Sequence, residues 1–189
     1  MTFDKNPYNL KTTTEYKLIS EYYGERRAAR SGVPLINHID EGDYILWSIC
    51  APIASRKAFF LHPLIQSDAD MQANMHVLQE VSADPYALIL AMEYRNIANQ
   101  YLSHRKISSV KEIALSPIPE VNTMLIADKI QNYKDFILYH RGTHPRSDEL
   151  VEYFENWLTR LEIYDFDNWF RSLKTQFPPE DKTKLQIQY

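Results

Sequence analysis

Glycine is nearly missing from this chain, with 4 in 189 residues, roughly 2% against a usual ~7%. Tight hairpins and glycine-rich phosphate loops both need backbone at positive φ, which glycine adopts without steric cost. So few glycines exclude a fold of many short hairpins, and with it the β-sandwich and the barrel. A backbone-amide cradle for phosphate is excluded for the same reason. Helices remain. At 44% hydrophobic and 24% charged residues the chain matches ordinary globular proteins rather than disordered ones. A domain of this length buries enough surface to fold without disulfides or a structural metal.

No stretch approaches the ~20 consecutive apolar residues of a membrane span, and MTFDKNPYNL at the N-terminus has no basic-then-apolar leader pattern. The expectation is a cytoplasmic protein with no membrane partner. Its single cysteine, Cys50, lies in the apolar run ILWSICAPIA, so buried packing is expected of it rather than reactivity. A formal net charge of −4 gives no sign of nucleic-acid binding.

Periodicity divides the chain into an N-terminal arm (1–11), a helical domain (12–177) and a polar C-terminal tail (178–189). Thr12 and Glu15 have capping-box spacing and open a helix predicted to run to about residue 30. Further helices are predicted over 35–49, 55–65, 69–81 and 84–101, the last with Asp84 as N-cap and Pro85 in its first turn. Pro63 falls inside the apolar segment AFFLHPLI and demands a first turn or a kink there. A short helix at most is expected in 106–119, then long helices over 119–140 and 147–161, and one more in WFRSLKTQF. The fold class is all-α, a single-domain bundle of about seven to nine helices. The terminal amphipathic helix and the 13% aromatic content suit core packing or a homo-oligomer contact better than base stacking.

Two of the six histidines, His38 in LINHI and His62 in FFLHPLI, sit in apolar surroundings, as does Asp128 in LIADKI. A buried imidazole needs partners for its ring nitrogens, and a buried carboxylate without one is costly. Two histidines and an aspartate on three core helices point to a metal or polar site inside the bundle. His76 and His104, in polar contexts, read as surface residues.

RSGVPLINHIDEGDYIL, AFFLHPLIQSD and LIADKIQNYKDF follow one another at the intervals seen in a known family. Together they resemble the HD-domain hydrolases of the RelA/SpoT type, which remove pyrophosphate from the alarmone (p)ppGpp. The likeness spans roughly residues 15–140 and implies an HD-type helical bundle. It implies His38, His62 and Asp128 as three of the four protein ligands of a divalent metal, typically manganese, and a phosphorylated nucleotide as substrate; iron and zinc are the other candidate ions for such a group. It also implies Arg27 as a basic contact to the substrate, with Lys129 and Asn132 near the nucleotide. Where that family has the aspartate of its His-Asp pair, this chain has Pro63; where it has a Glu-Asp pair, this chain has Gln66 and Ser67. Proline ligates no metal, and an amide is no general base.

Three readings stay open on these residues. A two-histidine, one-carboxylate metal site can work with Asp68 or Asp70 as a further ligand or base, beside Gln66. A pseudoenzyme can retain the pocket and bind a nucleotide without metal. A helical bundle can serve as a protein-interaction module. Arg26 and Arg30, placed on one face of the predicted first helix, and the loop carrying His140, Arg141, His144 and Arg146 are further candidates to meet an anionic ligand.

Overall fold

The structure, a computed structural model, describes residues 9–80 and 83–179, with the side chain of Glu80 left aside. Among them are eight α-helices and no strand: α1 (Thr14–Tyr23), α2 (Ile36–Ser48), α3 (Ile53–Leu61), α4 (Asp68–Glu80), α5 (Pro85–Gln100), α6 (Pro119–Tyr139), α7 (Ser147–Arg160) and α8 (Phe166–Gln176). Short 3-10 turns at Leu10–Thr12, His62–Ile65 and Val110–Glu112 complete the regular structure. Most of the proposed arm and tail lies outside the described residues. No described helix is long and apolar enough to cross a membrane.

α3 and α6 form the centre. α3 packs against α1, α2, α5 and α6, and α6 against α2, α3, α5, α7 and α8. Each is enclosed on several sides, so each must be apolar around most of its circumference. Phe59, Phe60, Leu61, Leu125, Ala127 and Ile130 are fully buried as a result. α7 and α8 are amphipathic outer helices that bury one stripe, through Phe154, Trp157 and Leu173.

α5 begins as its sequence indicates, with Asp84 accepting from Tyr86 N at 3.0 Å and Pro85 in the first turn. Pro63 is accommodated because α3 stops at Leu61, and the proline enters the first turn of the tighter 3-10 segment. At the start of α1 the cap is Thr13, whose hydroxyl accepts from Tyr16 N, rather than the Thr12–Glu15 box. Glu15 is buried instead and accepts from Asp84 N at 2.8 Å, tying α1 to α5.

The first helix also ends early, at Tyr23 rather than near residue 30. Gly24 takes a positive φ of 49°, and Leu35 N to Arg26 O (2.9 Å) and Ala28 N to Val33 O (2.9 Å) close the following residues into an antiparallel turn. Those bonds compete with continued helix, so Arg26, Arg27 and Arg30 lie on a loop. Cys50 departs from expectation too. It is exposed at the end of α2 with φ 56°, the left-handed position at which a chain leaves a helix and which glycine usually fills.

Candidate functional site

The three sequence candidates converge. His38 lies in the first turn of α2, His62 immediately after α3, and Asp128 in the buried middle of α6. His38 Nε2 stands 3.3 Å from His62 Nε2 and 3.7 Å from Asp128 Oδ1. One donor atom from each of the three residues lies within 4.8 Å of the others. Ligand atoms about 2.1 Å from a common ion stand roughly 3.0–3.5 Å apart, close to the two distances from His38 Nε2. Two imidazole nitrogens and one carboxylate oxygen suit a divalent transition metal such as manganese, iron or zinc.

Protonation at the site follows from its surroundings. His62 Nδ1 lies 2.6 Å from the Phe59 carbonyl; a carbonyl only accepts, so Nδ1 carries the proton and Nε2 presents a lone pair. Burial, reinforced by His38, pulls the His62 pKa from its ordinary 6.5 to about 3, so the ring is neutral at physiological pH. Burial, the largest single influence, would raise the Asp128 carboxyl, but Lys129, His38 and His62 together outweigh it and bring the group from 3.8 to about 2. Lys129 Nζ sits 2.8 Å from Asp128 Oδ2, 3.2 Å from the Tyr153 hydroxyl, and over the Trp157 ring at 5.0 Å. Asn132 Nδ2 donates to Asp128 Oδ1 at 2.8 Å, and the buried Tyr94 hydroxyl also bonds this carboxylate.

The site opens into a cleft of about 810 Å³ whose lining includes His38, His62, Asp128, Lys129 and Asn132. Pro63 and Gln66 line it as well, the Gln66 amide donating to Asn99 at 3.0 Å. Asp68 lies outside: its side chain is 92% exposed and pairs with Arg95. The cleft-lining acid of that segment is Asp70, which accepts from the Ser67 hydroxyl at 2.5 Å and from Tyr22 at 3.1 Å. Arg27 is not in the lining and donates to Gly32 O at 2.8 Å. Arg141 is exposed and outside the lining, and so is Arg146, which Glu149 holds at 2.8 Å and Ser103 at 3.2 Å. Besides Lys129 and the two site histidines, the basic groups that do line the cleft are Arg26, Arg30, His140 and His144. Arg26 lies over the Tyr22 ring at 4.5 Å.

Several residues of this region carry no motif. Glu41, Gln131 and Lys134 are buried polar groups beside the site, with Gln131 in the cleft lining. Burial pushes the Glu41 carboxyl up. Burial also works against the Lys134 ammonium, but Asp135 and Glu41 outweigh it and hold Lys134 above its ordinary value. Gly42 is a further one. A Cβ there would come within 2.1 Å of the Phe59 ring, so a side chain at 42 would displace the residue whose carbonyl holds His62. The available signal was a glycine inside an otherwise helical pattern, which often marks a close approach. His76 and His104 are exposed, as their contexts indicate.

Comparison with protein-family models, curated proteins and solved structures gives no match for this chain. What the fold and site define is a class: an all-helical bundle with a buried histidine–histidine–aspartate group at the floor of a cleft with basic residues in its lining.

Proposed function

We propose that this chain is a divalent-metal-dependent phosphohydrolase, similar in plan to the HD-domain hydrolases, acting on a phosphorylated nucleotide. The observation that carries the reading is the convergence of His38, His62 and Asp128 donor atoms within 4.8 Å at the bottom of the cleft. Manganese, iron or zinc held there would polarise a phosphoryl oxygen and lower the pKa of a bound water. The chain's own residues do the remaining work. Lys129 keeps Asp128 ionised inside the bundle, and the Phe59 carbonyl keeps the His62 lone pair facing inward. Arg26 and Arg30 supply fixed positive charge in the cleft wall, where guanidinium groups suit phosphate oxygens. Asp70 is the acid of the QSDAD segment in reach of a cleft ligand, and the Ser67 hydroxyl holds its carboxyl below the ordinary value. The cleft volume falls within the range of about 300–1,000 Å³ typical of small-ligand sites, and Tyr22, Tyr23 and Tyr153 give it aromatic wall for a base.

A second reading has its own support. Lys129 already neutralises Asp128 at 2.8 Å, and Pro63 offers no ligand where the resembling family has a carboxylate; a metal-free nucleotide-binding protein fits both facts. One experiment separates the two: phosphate or pyrophosphate release from a panel of nucleoside phosphates, with manganese or with chelator. Manganese-dependent release that disappears in His38→Ala and His62→Ala is expected. No turnover, with the same nucleotides raising Tm equally in chelator, would favour the second reading.

A further inference from the structure

Beside the three candidate ligands, α2 and α6 hold a largely buried polar cluster whose Gln131 and Asp135 also border the cleft. Gln131 is fully buried, and its amide nitrogen lies 2.8 Å from Asp135 Oδ2 and 3.2 Å from Glu41 Oε2. Carboxylate oxygens accept hydrogen bonds, so the NH2 end of the amide must face them; the flipped amide would set its oxygen against two carboxylates. Lys134 Nζ fixes both acids, at 2.7 and 2.5 Å from the Glu41 oxygens and 2.7 Å from Asp135 Oδ1. The Gln131 carbonyl oxygen is thereby turned to His38 Nδ1, at 2.6 Å.

We propose that Gln131 is a positioning residue: its carboxamide, oriented by Asp135 and Glu41, holds His38 with the proton on Nδ1 and so aims a bare Nε2 lone pair at His62 Nε2 and Asp128. An amide oxygen cannot donate, so Nδ1 must. His62 is fixed in the same sense by the Phe59 carbonyl. Two unprotonated Nε2 atoms then face each other at 3.3 Å with a carboxylate oxygen beside them. Lone pairs so arranged repel, and a cation between them relieves the repulsion. Without Gln131, the His38 proton is free to move to Nε2 and donate to His62, which closes the site upon itself. Outer partners of this kind set the tautomer of metal-binding histidines, and their loss typically lowers metal affinity about 10–100-fold.

The tautomer stands independently of the hydrolase reading; its effect on metal affinity rests on that reading. Long-range proton–nitrogen NMR of metal-free protein at about pH 8.5, above the ordinary histidine range, reads the tautomer directly. Wild type is expected to show His38 protonated at Nδ1, and Gln131→Met to move the proton to Nε2. Manganese titration of the two proteins is expected to show affinity reduced about 10–100-fold in the variant. A wild-type His38 protonated at Nε2 overturns the proposal, even if the variant fails to fold. A tautomer and a manganese affinity both indifferent to Gln131→Met also overturn it, and leave the metal reading intact. If manganese does not bind but the tautomer responds as expected, the positioning role stands and the metal reading falls.

Discussion

Two buried ion pairs sit on successive turns of α6, and they do opposite things. Lys134 is enclosed between Glu41 and Asp135, and Gln131 donates to both acids, with Asp135 itself bordering the cleft at 26% side-chain exposure. Lys129 binds one oxygen of Asp128 at 2.8 Å, while the other accepts from Asn132 at 2.8 Å and stands 3.7 Å from His38 Nε2. The chemistry is the same, a lysine against a carboxylate with all four side chains at least nine-tenths buried. The difference is what else stands beside the carboxylate. The polar partners of Glu41 and Lys134 are each other, Asp135 and Gln131, whereas Asp128 stands beside the His38 and His62 rings in a group of donor atoms that could hold a cation.

Breaking the Lys134 pair should have the largest effect on folding. Lys134→Met leaves Glu41 and Asp135 facing each other without a cation, and a loss of about 3–5 kcal/mol in urea unfolding is expected; a loss under about 1 kcal/mol would erase the contrast.

Acid should act next, and through the open site. The His62 pKa is about 3 in the folded chain against an ordinary 6.5, so the unfolded chain takes up a proton that the folded one refuses. The stability is fully present above about pH 6.5 and is lost as pH falls towards 3. Metal-free protein should therefore lose stability across that window, and His62→Gln should flatten the slope between about pH 6.5 and 4. An unchanged slope would mean that other groups govern the acid response.

Gly42→Ala comes third. The new methyl would overlap the Phe59 ring, and overpacking of this kind costs about 1–3 kcal/mol. Because Phe59 holds His62, metal affinity should drop as well, while Glu149→Ala, which removes a surface pair to Arg146, should change stability by no more than about 0.5 kcal/mol and leave affinity alone. Equal effects of the two substitutions would deny the α2–α3 contact its role in shaping the site.

The same contrast explains what could be read from the residue string. α5 and α6 were legible because their periodicity is long and each opens on a proline, α5 with Asp84 as its cap as well. His38, His62 and Asp128 were legible because a polar residue in an apolar run must have a partner. Glu41, Gln131 and Lys134 were not, since each reads locally as a solvated helix position and the partners that bury them lie about ninety positions away. The loop after α1 misled for a related reason: ERRAAR has strong helix propensity, but Gly24 and the backbone bonds from Ala28 and Leu35 override it. That misreading placed Arg26 and Arg30 on a helix face, when the turn is what brings them to the cleft.

The central claim is that the His38–His62–Asp128 group is a cation site, and calorimetric titration of chelator-stripped protein tests it most directly. One manganese ion per chain is predicted for wild type, with binding lost in Asp128→Asn while that variant remains folded. Wild-type protein that takes up no manganese, iron or zinc, or an Asp128→Asn variant that binds as wild type does, would contradict it.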